Sequence, residues 1–223
     1  MTAGALWGRY GEVRDALEKQ YRLPMNPATG LAPEALLAKV RQYLAAAGAG
    51  KPRIIQRAEM LRMVLTDAAI RVDPEDWFAD HIADGRVLWK IQEEWMAEAG
   101  RKLGLNGWRL GECAFGRLDL SHTSPGWRNV LKYGATGLRD RATAALATAR
   151  DDEAAQLFRA MAIAAEAMRT YILRLAAEAG RLNAQRGTAT LQALAERPAE
   201  SLHEALQWAF LFNQIQEIEG ELV

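Results

Sequence analysis

The feature that most constrains the fold is an apolar run near the end of the sequence. Residues 206–212 read LQWAFLF, and Gln207 is the only polar side chain among them. Fully burying one large apolar side chain contributes roughly 1.5–3 kcal/mol, so rings such as Trp208 and Phe210 are expected to avoid water. The run is too short to span a bilayer, which takes about 20 apolar residues. It therefore predicts a core helix that is buried on nearly every side.

A helix start stands just before this run. Ser201 can cap the helix with its hydroxyl, and Glu204 follows three residues later, where its carboxylate can reach back to the free amide of the cap. Pro198 marks the boundary upstream. The core helix is therefore predicted to begin at about residue 201.

Composition favours a mainly α protein. Half of the 223 residues are hydrophobic and a quarter are charged, which allows a sizeable core and argues against disorder. Ala, Leu, Arg and Glu are abundant and β-branched residues are sparse, as is typical of helices. The formal net charge is zero, so we expect no electrostatic binding of nucleic acid or of an anionic membrane surface.

Cysteine usage and the N-terminal segment indicate the compartment. The single cysteine, Cys113, excludes an intramolecular disulfide and suits a reducing environment. The first 20 residues mix charged and apolar side chains and lack a signal-peptide core. With no recognisable membrane span, a cytoplasmic, soluble protein is expected.

Periodicity and turn signals predict a series of helices joined by short connectors. Two segments interrupt the series, an irregular stretch at 70–82 and the least regular one at 104–126. Gly134 and Gly137 weaken the helix after the second interruption. No linker or repeat divides the sequence, which predicts one structural unit. The predicted helices cover residues 6–21, 33–48, 53–69, 86–103, 127–149, 152–183, 187–196 and 201 onward.

Polar side chains cluster in the irregular stretch 104–126, and sites tend to lie in such segments. His122 could orient a polar substrate or shuttle a proton near neutral pH, or it could be a loop histidine bonded to backbone. Cys113 could be a nucleophile or an inert, half-buried thiol. We expect a surface role for His81 and a structural role for His203. No metal site is predicted, since no second His or Cys stands at ligand spacing.

Three blocks of the sequence together resemble the pyruvate formate-lyase domain of glycyl radical enzymes, in the branch of glycerol- and diol-dehydratase-like members. The first block is RAEMLRMVLTDAAIRVDPEDWFADHI, residues 57–82, and the second is SHTSPGWRNVLKYGATGL, residues 121–138. The third and most specific block is SLHEALQWAFLFNQIQEIEG, residues 201–220. The resemblance divides the sequence into N-terminal helices at 1–54 and a partial pyruvate formate-lyase-like domain at 55–223.

The resemblance implies the helical, N-terminal portion of an enzyme whose complete fold is a β/α barrel. In dehydratase members the histidine of the second block lines the substrate cavity, which implies substrate binding by His122, with Ser121 and Thr123 beside it. The family stores a radical on a C-terminal glycine and passes it to a cysteine, and both lie beyond the matched portion. No catalytic residue is therefore assigned here, and Cys113 does not match the radical cysteine.

Two functions remain open after this resemblance. The first is part of a glycyl radical enzyme that cleaves or forms C–C or C–O bonds anaerobically. This part would be inactive without the remaining C-terminal portion or a partner chain, and would bind no cofactor itself. A separate radical S-adenosylmethionine activase would install the glycyl radical. The second is a non-catalytic α-helical docking module, with homo-oligomerisation possible; a helical ligand-binding domain around His122 is a weaker third option.

Overall fold

The computed structural model describes residues 10–12, 14–15, 18, 24–73, 77–104 and 125–219, apart from the side chains of residues 185 and 186. The described chain is mostly helical, which confirms the predicted mainly α class. Residues described within the predicted first helix are helical. A 3-10 turn at Pro27–Thr29 follows, and then come α1 Pro33–Ala45, α2 Arg53–Asp67, α3 Val87–Lys102, α4 Trp127–Ala147, α5 Asp152–Arg181, α6 Gln185–Glu196 and α7 Leu202–Glu219.

A small antiparallel sheet replaces the irregular segment that the sequence predicted at residues 70–82. Strand β1 is Ile70–Arg71 and β2 is His81–Ile82, and Ile70 pairs with Ile82. Strands of two residues are too short to show a period of two, so the sequence pattern could not reveal them. The sheet brings together the two ends of the segment between β1 and β2.

Helix α5 is the central element of the fold. It begins at an N-cap in which the Asp151 side chain accepts a hydrogen bond from the amide of Ala154. It packs against α2, α4 and α6 and buries Tyr171, Ile172 and Leu175 completely. The main apolar core gathers around it and takes in residues from each of the helices α1 to α7. The division of the chain at residue 54 stays a prediction.

Periodicity places six residues on the buried side of α2, and four of the six are buried: Ile54, Ile55, Ala58, Leu61, Met63 and Leu65 are predicted, and Ile54 and Met63 are the exceptions. Ile54 of α2 is exposed, whereas Met60 and Val64 are buried. Leu157 and Met161 of α5, assigned to the apolar stripe, are also exposed. Both helices carry apolar residues around much of their circumference, so packing against neighbours decides which of the predicted residues stay exposed.

The end of α2 is tied to the preceding turn by one half-buried arginine. The guanidinium of Arg174 donates hydrogen bonds to the carbonyls of Leu65, Ala68 and Thr29, at 2.7, 2.6 and 2.9 Å. The last carbonyls of a helix lack intrahelical donors and attract cations. Burial lowers the pKa of Arg174, and the three carbonyls accept hydrogen bonds from both of its terminal nitrogens.

Helix α7 is buried on one side only. Its inner face consists of Gln207, Trp208, Leu211, Ile215 and Ile218, all of them buried. Its other side carries the outer ridge, which consists of Leu202, Leu206 and Phe210 and is exposed. The prediction of burial on nearly every side is therefore wrong for this ridge within the described chain. No helix in the described ranges combines the length and apolarity needed to cross a membrane.

Candidate functional site

The residues assigned to substrate binding lie outside the described part of the chain. Ser121, His122 and Thr123 fall within residues 105–124, as does Cys113. Their roles stay predictions. The structure describes the segment that follows them in sequence, which begins at Pro125 and continues into α4.

A tight turn leads from residues 121–124 into α4. The amide of Trp127 donates to the carbonyl of Pro125 at 2.7 Å, and the amide of Asn129 donates to the carbonyl of Gly126 at 2.7 Å. The N-cap is Gly126, which has no side chain to satisfy the free amides of the first turn. The direction in which the chain enters α4 is therefore set by backbone hydrogen bonds and by packing on α7.

Helix α7 fixes the first turn of α4 through an aromatic anchor. The indole nitrogen of Trp208 donates to the carbonyl of Val130 at 2.9 Å, and the Trp208 side chain is only 1% exposed. Phe212 packs edge-on against both Trp208 and Trp127, with ring centroids 5.8 Å apart in each case. A buried indole with a satisfied N–H combines a large apolar contact with a directional bond. This anchor positions the backbone that directly follows the predicted substrate residues.

Helix α4 breaks at Gly134, as the sequence predicted for this glycine. Gly134 has φ +58° and ψ −173°, a conformation that is essentially restricted to glycine. A Cβ atom there would lie 3.3 Å from the Cα of Pro198, so the kink also admits the segment that enters α7. Gly137, the other glycine predicted to weaken the helix, lies within regular α4.

The start of α7 is the capping box that the sequence predicted. The hydroxyl of Ser201 accepts from the amide of Glu204 at 3.2 Å, and the Glu204 carboxylate accepts from the amide of Ser201 at 3.2 Å. The same carboxylate accepts two hydrogen bonds from Arg197, at 2.8 and 3.0 Å, and one from the amide of Glu200 at 2.7 Å. These bonds, with Arg197 first, lower the pKa of Glu204 to about 2.

A second anchor joins α7 to the loop between the strands. The buried amide of Gln207 accepts from the Ala79 amide at 2.9 Å and donates to the Ala79 carbonyl at 3.0 Å. The hydroxyl of Tyr171 donates to the carbonyl of Asp80 at 2.8 Å, and burial raises the pKa of Tyr171 well above its usual value. Two neighbouring residues of α7, Gln207 and Trp208, thus fix two separate segments.

Four rings meet where this loop faces the outer side of α7. Phe78 stacks on His203 at 5.3 Å and on Phe210 at 4.8 Å between centroids. Trp77 meets His203 edge-on at 6.4 Å. We call Trp77, Phe78, His203 and Phe210 the aromatic group. It places His203 in a ring stack at the first turn of α7.

A surface groove of about 310 Å³ runs between α2, α5 and α7. Arg57 and Glu219 form an ion pair at its rim, with 2.7 Å between nitrogen and oxygen. The side-chain oxygen of Gln216, which also lines the groove, is buried without a hydrogen-bond partner. In the described ranges no group of three or more His, Cys, Asp or Glu could hold a metal ion. The contacts described above therefore act mainly to position backbone segments.

Sequence reasoning missed the anchoring role of Gln207. The available signal was its position as the one polar side chain in an apolar run. A lone buried amide needs partners, because an unsatisfied buried polar group costs free energy. The partner, the backbone of Ala79, is 128 residues away in sequence, so local patterns could not identify it.

Comparisons with known proteins agree with the resemblance inferred from the three blocks. Residues 115–221 match the family described as pyruvate formate lyase-like. A sequence comparison with curated proteins finds no match.

Several solved structures share the fold. The glycerol-bound B12-independent glycerol dehydratase from Clostridium butyricum is 16% identical, with a TM-score of 0.56, over 85% of this chain and 32% of that one. A structure on 1,2-propanediol dehydration in Roseburia inulinivorans is 15% identical, with a TM-score of 0.56, and the match covers 84% of this chain and 31% of that one. A glycyl radical enzyme from Archaeoglobus fulgidus is 15% identical, with a TM-score of 0.59, and the match covers 84% of this chain and 32% of that one.

These matches confirm the resemblance and the fold. The chain is similar to part of a glycyl radical enzyme and spans about a third of the length of the three solved relatives. Identities of 15–16% indicate a shared fold alone.

Proposed function

We propose that this chain, whose residues 115–221 match the pyruvate formate lyase-like family, is the helical part of an enzyme that cleaves or forms C–C or C–O bonds by radical chemistry. The observation that carries the proposal is the overlap of two independent matches. The family match runs through α4 and α7, and the fold match to glycyl radical enzymes covers 84–85% of the chain.

Within this proposal the chain binds and orients substrate. His122, with Ser121 and Thr123 beside it, would contact the substrate, and the backbone that follows them is fixed to α7 by Trp208. A positioned histidine can donate or accept a hydrogen bond and can move a proton near neutral pH. The anchored start of α4 supports this role, because small displacements of a positioning group cost large factors in rate.

The radical itself would come from elsewhere. A glycyl radical and a radical cysteine would be supplied by the remaining part of the fold, on the same polypeptide or on a partner chain. A radical S-adenosylmethionine activase would generate the glycyl radical. The chain would bind no cofactor of its own and would act in the cytoplasm under anaerobic conditions.

Anaerobic turnover of glycerol and 1,2-propanediol tests the proposal. The chain alone should show no turnover. Combined with a polypeptide that supplies the rest of the fold, and with the activase, it should turn over substrate. His122→Ala should lower kcat/KM by about 10²-fold or more, the range typical of a positioned acid–base group.

His81→Ala is the matched control, because His81 lies in β2 and is not among the residues assigned to substrate binding. Its rate should stay at the level of the unmodified chain. Turnover by the chain alone, or equal rates for the two histidine variants, would contradict the proposal.

A non-catalytic docking module is the second candidate function, and the exposed outer ridge favours it. Light scattering of the purified chain, alone and with added polypeptides, discriminates between the docking module and the enzyme. A monomer that associates with no added polypeptide would argue against a docking role. A complex that forms with no turnover under any condition would favour it over the enzyme.

A further inference from the structure

The outer ridge of α7 has the form of a helix-packing surface. Leu202, Leu206 and Phe210 are 77%, 43% and 47% exposed and follow one another at four-residue spacing. Side chains four residues apart form a continuous ridge along a helix, and such ridges pack into the grooves of another helix. The geometry therefore suits a helical partner laid against α7.

The ridge continues into the aromatic group. Phe210 belongs to both, and its ring stacks on Phe78, which in turn stacks on His203. Trp77 at the edge of the group is 71% exposed. Single exposed apolar side chains are ordinary, but a connected set of large ones marks an interaction site.

Hydrogen bonds from the core hold the backbone that directly follows Trp77 and Phe78. The next two residues are fixed from the core, Ala79 by both backbone hydrogen bonds to Gln207 and Asp80 by the hydroxyl of Tyr171. A surface that is already ordered loses less conformational entropy when a partner binds. Hydrogen bonds from the core thus fix the backbone next to Phe78, whose ring joins the rest of the aromatic group through His203 and by direct stacking.

Charge at the two ends of the ridge indicates the chemistry of the partner. Glu200 is exposed at the start of α7 and Glu217 near its end, and α7 contains no Lys or Arg. Arg197 pairs with both Glu200 and Glu204, so the start of α7 keeps one net negative charge. An antiparallel second copy would bring the acidic end of one ridge toward the acidic end of the other, which is unfavourable. Complementary charge requires basic residues beyond both ends of the partner's ridge.

We propose that the outer ridge and the aromatic group dock a helix that carries its own apolar ridge between basic residues. That helix belongs to the part of the pyruvate formate lyase-like fold that this chain does not span. The chain covers about a third of the length of its solved relatives, so most of such a fold is available to supply it. The origin of the helix rests on the proposed function, whereas the docking surface rests on the described residues.

A synthetic peptide tests the docking surface directly. The probe is a fluorescently labelled helix of about five turns, with leucines at four-residue spacing and lysines at both ends. A second peptide replaces the lysines with glutamates. Anisotropy titrations compare the whole chain with Phe210→Glu, Leu206→Glu and the control Met161→Glu, whose exposed side chain lies on α5. Circular dichroism confirms that each variant is folded.

The lysine peptide should bind the unmodified chain and Met161→Glu equally. Binding should weaken at least about tenfold for Phe210→Glu, for Leu206→Glu and for the glutamate peptide, since truncating a central contact typically costs that much. Absence of binding, or equal binding of both peptides, overturns the inference. Self-association that Phe210→Glu abolishes would also overturn it, in favour of a second copy. Peptide binding requires no radical, so its failure is distinct from a failure of turnover.

Discussion

The inner and outer faces of α7 have similar side chains and different environments. Trp208 on the inner face is 1% exposed, whereas Phe210, two residues later, is 47% exposed. The inner face also makes the directional contacts, from Gln207 to Ala79 and from Trp208 to Val130. Hydrophobicity alone therefore does not identify the residues that organise this fold. The hydrogen bonds of the inner face identify them.

The largest expected difference between the faces is in stability. Trp208→Ala should lower the free energy of unfolding by about 3–5 kcal/mol, because it leaves a cavity and removes the bond to Val130. Phe210→Ala should change it by less than about 1 kcal/mol, as is usual for surface positions. Urea unfolding of both variants measures the two values. Similar losses would show that the outer ridge is also part of the core.

The next effect concerns the second anchor. Gln207→Leu keeps a side chain of similar volume, but it removes the partners of the buried amide and carbonyl of Ala79. An unsatisfied buried group costs about 1–3 kcal/mol, so a loss of roughly 2–4 kcal/mol is expected. Hydrogen exchange should accelerate at residues 79–82 and stay unchanged in α1. Unchanged exchange at 79–82 would mean that Tyr171 alone fixes the loop.

A smaller effect is expected where the segment preceding α7 meets α4. Gly134→Ala forces a Cβ into a glycine conformation and against Pro198, and should cost about 1–3 kcal/mol. Gly180→Ala is the matched control in α5, where a Cβ would meet only ordinary contacts at 3.7 Å or more. That substitution should stabilise the helix by up to about 1 kcal/mol. Thermal unfolding compares them, and a stabilising Gly134→Ala would contradict the observed kink.

The smallest effect comes from the capping box and depends on pH. The pKa of Glu204 falls from 4.5 to about 2 on folding, so its contribution is fully present above 4.5 and is lost as the pH falls toward about 2. Glu204→Gln should cost about 1 kcal/mol near neutral pH, in the range of helix caps. Its stability should then fall less steeply than that of the unmodified chain between these two pH values. Parallel slopes would mean that the pKa is not lowered.

Local signals predicted much of the fold and only part of the site. The Ser201–Glu204 box and the break at Gly134 each depend on a few adjacent residues, so the sequence reveals them. The exposure of Ile54 and of Phe210 depends on which neighbours pack against each helix, and no local pattern carries that information. The pairing of Gln207 with Ala79 joins distant segments and became evident only from the structure.

Hydrogen exchange at the first turns of α4 tests most directly whether the inner face of α7 fixes the backbone that follows residues 121–124. The measurement compares amides 128–133 in the unmodified chain, in Trp208→Phe and in Phe210→Leu. Trp208→Phe removes the indole N–H that Val130 accepts, so exchange there should accelerate by about tenfold, while Phe210→Leu should leave it unchanged. Equal exchange in all three proteins would contradict the claim that α7 positions this segment.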